Sequence, residues 1–317
     1  MKNIFVALFL GVVYASATVF SPVQEINMNG TTKDMVLSDK ELLIGTDNGV
    51  LQVYDYEKKV FSHTITLPPV KDFVGEMIPP RVFSVDRMKD RYLLLSDSGK
   101  GGYANLWIHE NNVTTQLLSH TDKIAAIKAR FINEDQILLG LLSNEAVLFD
   151  SKSKKEVFRV QLSESKFSDF ALNEKRSQAV FACESGVLNV IDTHTGKVLN
   201  ELKSVNVDNV YKVDFKQGII SGAGQDRRGA LYDVVMGTGV YIEGSFLIYA
   251  TGLSPSAKKV AFAMDEKNYI SIYNRSSKVK IAELQGQKST LNTILFKDEE
   301  TLFSSSDDNT VLMWKLN

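Results

Sequence analysis

After residue 17 the chain shows almost no helical periodicity. Short apolar, β-branched and aromatic runs alternate instead with clusters of Gly, Asn, Asp and Ser, the pattern of strands and turns. Several runs share one ending, a bulky residue close to or followed by a polar one. They are VLQVYD (50–55), ANLWI (104–108), AVLFD (146–150), VLNVID (187–192), GALYD (229–233), YISIYN (269–274) and TVLMWK (310–315). Their bulky residues, Tyr54, Trp107, Phe149, Ile191, Tyr232, Tyr273 and Trp314, stand 53, 42, 42, 41, 41 and 41 positions apart. This is an internal repeat. The sixth interval parses as IYATGLSP, KVAFAMD, YISIYN and KVKIAEL, four strands with tight turns. Four antiparallel strands in about 40–45 residues is the period of a propeller blade. Seven such units predict an all-β, seven-bladed β-propeller over residues 18–317.

The last unit is incomplete. TVLMWKLN ends the chain with no fourth strand, and an unpaired edge is a hazard. Residues 18–28, TVFSPVQEINM, precede the first strand of blade 1, KDMVLSD. They are expected to pair outside TVLMWKL and close the ring, with Pro22 tolerated on an outermost strand.

Residues 1–17, MKNIFVALFLGVVYASA, have Lys2, an apolar run from Ile4 to Tyr14 and the small residues Ala15-Ser16-Ala17. That order is a secretory signal peptide, expected to be cleaved after Ala17. The run is short for a membrane span, and no later run is long enough, so the mature chain is expected to be exported without a span. Cleavage removes one Lys and no acid, taking the formal net charge from −2 to −3. So little net charge leaves no footprint for nucleic acid. The single cysteine, Cys183, lies in the apolar run QAVFACE and reads as buried packing. One cysteine in an exported chain points to a bacterial periplasm rather than a disulfide-rich eukaryotic secretion.

The strongest local matches resemble WD40 repeats. SHTDKIAAIKARF (119–131) is similar to the Gly-His opening of a repeat, with Ser119 in place of Gly. FSSSDDNTVLMW is similar to the family's Ser-x-Ser-x-Asp ending, and SGAGQDRRGALYD (221–233) is a looser version; no unit carries a Trp-Asp pair. The resemblance implies that Asp308 holds its turn by side-chain hydrogen bonds, that Trp314 closes the third strand of its blade, and that His120, with Asp122 near it, joins a buried network. The signal peptide, the 41-residue repeat and the absence of cysteine at the mature start resemble the NapL family of periplasmic nitrate reductase accessory proteins. That likeness implies a role in the maturation or activity of a periplasmic molybdenum enzyme, through binding of the nitrate reductase catalytic subunit rather than catalysis; the chain itself is expected to be a monomer.

Candidate chemistry is sparse. His63, His109, His120 and His194 are widely spaced and form no ligand cluster at metal spacing, so neither a metal nor a cofactor is expected. Ser98-Gly99-Lys100-Gly101-Gly102 lacks the strand–helix setting of a phosphate loop, and there is no GxSxG elbow. The long first interval holds PPVKDFVGEMIPP (68–80), with four of the six prolines. Because proline cannot donate to a ladder, this segment is expected to be an inserted loop between blades 1 and 2. Propeller geometry places it on the face shared by Lys100 and by Gln225-Asp226-Arg227-Arg228. Phe73 and Met77 there are candidates for a partner surface, and Arg227 and Arg228 for a bidentate grip on an anion. Asn112, in Glu110-Asn111-Asn112-Val113-Thr114, is a candidate glycosylation acceptor. The alternative class is a lactonase-like hydrolase, which needs acids or a metal converging in the central channel. A third reading is an export-site assembly scaffold or a stress-linked periplasmic propeller that binds other ligands.

Overall fold

The computed structural model describes residues 17–317, so the expected leader lies outside the described residues except for Ala17. Apart from one two-stranded hairpin, its strands form seven small sheets in which sequence-successive strands run from the centre outwards. Blade 1 comprises Thr32–Ser38, Glu41–Thr46, Val50–Asp55 and Val60–Thr66. The inner strands of the later blades are Val82–Met88, Ala126–Phe131, Phe167–Leu172, Val210–Lys216, Ala250–Leu253 and Leu291–Phe296. This is the seven-bladed propeller that the repeat predicts. All seven bulky repeat residues sit on third strands.

Burial explains why the second and third strands read as continuous apolar runs rather than alternating ones. Each blade is covered on both faces by its neighbours, so AVF in Gln178–Cys183 and VLF in Glu145–Asp150 have no water-facing side. Outer strands such as Lys155–Gln161 are largely exposed. Cys183 is buried and free.

The polar residue after the bulky one also has a physical role. The Oδ1 atoms of Asp55, Asp150, Asp192, Asp233 and Asn274 accept the backbone N–H three residues on, from Lys58, Ser153, Thr195, Met236 and Ser277. Each side chain thus braces the turn into the outer strand.

The ring closes as a clasp. Gln24–Asn27 pairs antiparallel with Thr310–Lys315 and becomes the outer strand of blade 7. The clasp reaches further than the sequence predicts: Thr18–Phe20 pairs in parallel with Lys280–Leu284, adding a fifth strand to blade 6. One segment therefore ties the last two blades to each other. Trp314, fully buried, donates from Nε1 to Ser304 Oγ at 2.8 Å. Asp308 Oδ1 accepts from Thr310 N at 2.8 Å within its turn.

Candidate functional site

The segment 68–80 differs in form from the expected loop. Its two Pro-Pro pairs flank a short hairpin in which Val70–Lys71 pairs with Met77–Ile78. The prolines lie outside the ladder, so their missing donors cost nothing there. The base is held on both sides. Leu67 N donates to Gly49 O at 2.9 Å and Asp97 N to Arg81 O at 3.0 Å, which ties the linker to the second-to-third-strand turns of blades 1 and 2. Gly99, with φ +67°, runs so close to the hairpin that a Cβ there would lie 2.2 Å from the Lys71 carbonyl oxygen.

The tip is braced rather than loose. Asp72 Oδ1 accepts from Val74 N and Glu76 N, both at 2.9 Å, while Asp72 N donates to Glu76 O at 2.9 Å. This Asx-type turn presents Phe73 with 94% of its surface exposed, beside exposed Val74 and Met77. Lys100 is exposed on the adjacent blade 2 turn and adds a cation to this rim.

The other expected site residues are not gathered here. Arg227 is exposed on the same face but three blades further round the ring. Arg228 does not join it in a bidentate grip. Its guanidinium lies 4.6 Å from the centre of the Tyr241 ring and donates to Val205 O at 2.8 Å, so it is engaged within the chain. Asp226 braces their turn by accepting from Arg228 N at 3.0 Å and Val207 N at 2.8 Å. His120 joins no buried network either. It is exposed in the one-turn 3-10 helix His120–Asp122, where Ser119 and Asp122 form a reciprocal capping box. That box uses the Asp122 carboxylate locally and leaves the His120 ring in water. Asn112 is exposed at a turn where both Asn111 and Asn112 have positive φ, and Thr114 of the same sequon contacts His109 Nδ1 at 2.8 Å.

The central channel is where sequence reasoning found least and the structure shows most. It encloses about 300 Å³ and is lined by the inner strands. Acids on these strands reach across to the next blade's backbone. Asp34 Oδ2 accepts from Val85 N at 2.9 Å, Asp86 Oδ2 from Phe131 N at 2.8 Å, Asp169 Oδ2 from Val213 N at 3.1 Å and Asp214 Oδ2 from Leu253 N at 2.8 Å. Asn292 Nδ2 donates to Thr32 O at 3.0 Å, joining blade 7 to blade 1. Basic residues complete the girdle. Lys128 meets Asp169 at 2.5 Å, Arg130 meets Asp34 at 2.9 Å, and Arg176 holds both oxygens of Asp86 at 2.5 and 3.0 Å. Burial pushes the Asp34 carboxyl up, but Arg130 and then Lys128 outweigh it and hold it below the usual carboxylate range. Among the described residues no group of three or more His, Cys, Asp or Glu side chains is placed to hold a metal ion.

The sequence carries a signal of charge on the inner strands, though not of its pairing. TKDMVLS, VFSVDRM, AIKARF, FSDFAL and VYKVDFK, the first strands of blades 1 to 5, each set one to three charged residues among apolar ones. No protein-family model matches the chain, and no curated protein is similar enough to stand as a relative.

Proposed function

We propose that the protein is a binding platform rather than a catalyst, and that it docks a protein partner through the hairpin between blades 1 and 2. The exposure of Phe73 on a turn braced by Asp72 carries this reading. A phenylalanine left in water forgoes about 1.5–3 kcal/mol of burial. A floppy loop would fold such a ring back onto the rim, whereas this turn fixes it outward. A rigid aromatic anchor loses little entropy on docking, as the energetic centres of protein interfaces do. Lys100, next to the Gly99 that packs against Lys71, adds an exposed charge near the base of the hairpin. The girdle also favours binding over hydrolysis, because Asp34, Asp86 and Asp169 each hold a cation and a neighbouring backbone N–H.

The finer reading rests on the whole-chain resemblance. It takes the partner to be the catalytic subunit of a periplasmic nitrate reductase, met in the periplasm after residues 1–17 are removed. Capture from periplasm separates the two levels. Immobilised protein is expected to recover the catalytic subunit, and the Phe73→Ser variant to lose it. Equal capture by the variant would remove the hairpin from the interface. Normal maturation of the reductase in a strain lacking this protein would overturn the finer reading and leave the hairpin to another partner.

A further inference from the structure

His63 and His109 lie 46 positions apart in sequence, yet folding brings their Nε2 atoms to 3.4 Å. His63 is on the outer strand of blade 1 and His109 on the third strand of blade 2, Ala104–Glu110. We infer that this pair is a divalent transition-metal site that bridges blades 1 and 2, with its remaining coordination positions open to water.

The separation bears on two uses of facing imidazoles. N–H···O hydrogen bonds centre on about 2.9–3.0 Å, and 3.4 Å is long for an N–H···N counterpart. Two imidazole nitrogens bound to one tetrahedral zinc at about 2.0–2.1 Å each stand about 3.3–3.4 Å apart, which is the spacing found here. The rings are tilted by 49° to one another, and Tyr92 stacks on His63 with ring centres 5.8 Å apart. Thr114 Oγ1 lies 2.8 Å from His109 Nδ1. With Nδ1–H donating to that hydroxyl, Nε2 keeps its lone pair and faces His63, as the outer hydrogen bond of a metal-bound histidine arranges it. Glu41 and Arg87 on neighbouring strands pair with each other rather than entering the site. Both histidines are half-buried, so an ion can reach them.

The test is titration of tag-free full-length protein with zinc alone, and separately with Cu²⁺ alone, followed by calorimetry and by the histidine ring signals in NMR. The expected result is one saturable equivalent. Binding should weaken at least tenfold in His63→Gln and in His109→Gln, and about tenfold in Thr114→Val, where only the orienting hydroxyl is removed. Zinc should raise the melting temperature of the wild type and not of His63→Gln. Metal-free melting curves of the variants control for folding, and His63→Gln stands in if His109→Gln does not fold. Absence of saturable binding at millimolar zinc would overturn the site. So would binding unchanged in the double variant, which would assign the ion to other side chains.

Discussion

The channel girdle and the hairpin between blades 1 and 2 both break the rule of apolar inside and polar outside, and they break it in opposite directions. The channel girdle buries charge: Asp86 is 0% exposed and Asp169 1%. The hairpin tip exposes apolar surface. In the girdle each of Asp34, Asp86 and Asp169 is answered within the chain by a cation and by a backbone donor on the next blade. At the tip no partner within the chain covers Phe73, and the Asp72 brace keeps it outward. The contrast separates a structural exception from one directed at another molecule.

Breaking the ring itself gives the largest effect. Deleting residues 18–28 removes the outer strand of blade 7 and the fifth strand of blade 6. Ile26 and Met28 are both buried, and their burial alone is worth about 3–6 kcal/mol at about 1.5–3 kcal/mol each. Urea unfolding should show at least that loss. A truncated protein that melts like the full chain would mean that the clasp does not hold the ring, and the girdle would then have to close it alone.

Asp86→Ala tests the girdle directly. It leaves Arg176 without its carboxylate and Phe131 N without its acceptor, and removing one partner of a buried pair costs about 3–5 kcal/mol. Equilibrium denaturation measures it. A loss below about 1 kcal/mol, the range of an exposed pair, would show that the channel charges are not structural and would return them to consideration as a ligand site.

Gly99→Ala probes the joint between the two regions' supports. The added Cβ meets the Lys71 carbonyl oxygen at a backbone φ of +67°, so the loss should exceed about 1 kcal/mol. Limited proteolysis should cut the hairpin faster than in the wild type. Unchanged cleavage would mean that the hairpin is not seated on this turn.

Much of this architecture was legible because the repeat is made of physical parts. A bulky core residue on the third strand and a turn-bracing Asp or Asn just after it recur in blades 1, 3, 4, 5 and 6, so Tyr54-Asp55 or Tyr232-Asp233 marks a blade without a Trp-Asp pair. The missing fourth strand after Trp314 was equally readable, since an edge must be covered. The girdle was not read, because Arg130 and Asp34 are 96 positions apart and Arg176 and Asp86 90. Their partnership depends on two blades lying across a channel, not on spacing. The parallel pairing of Thr18–Phe20 was illegible for a similar reason: three residues carry too little pattern to choose a strand in blade 6. His120 misled because the motif matched while the local capping box, Ser119 with Asp122, directed the ring outward.

The smallest effect on stability is expected where the effect on binding is greatest, and it sharpens the comparison most. Phe73 touches little of its own chain, so Phe73→Ser should change unfolding free energy by no more than about 0.5 kcal/mol. The Asp72 hydrogen bonds are to backbone N–H groups, so the turn that presents residue 73 should persist. If Phe73 is the anchor of an interface, its loss should cost about 2 kcal/mol or more of binding energy, about thirtyfold in Kd. Denaturation and a binding isotherm on the same preparation read both quantities. A variant that loses stability and binding together would place Phe73 among the structural exceptions with the girdle. One that loses neither would leave the exposed ring without a partner and end the case for this face.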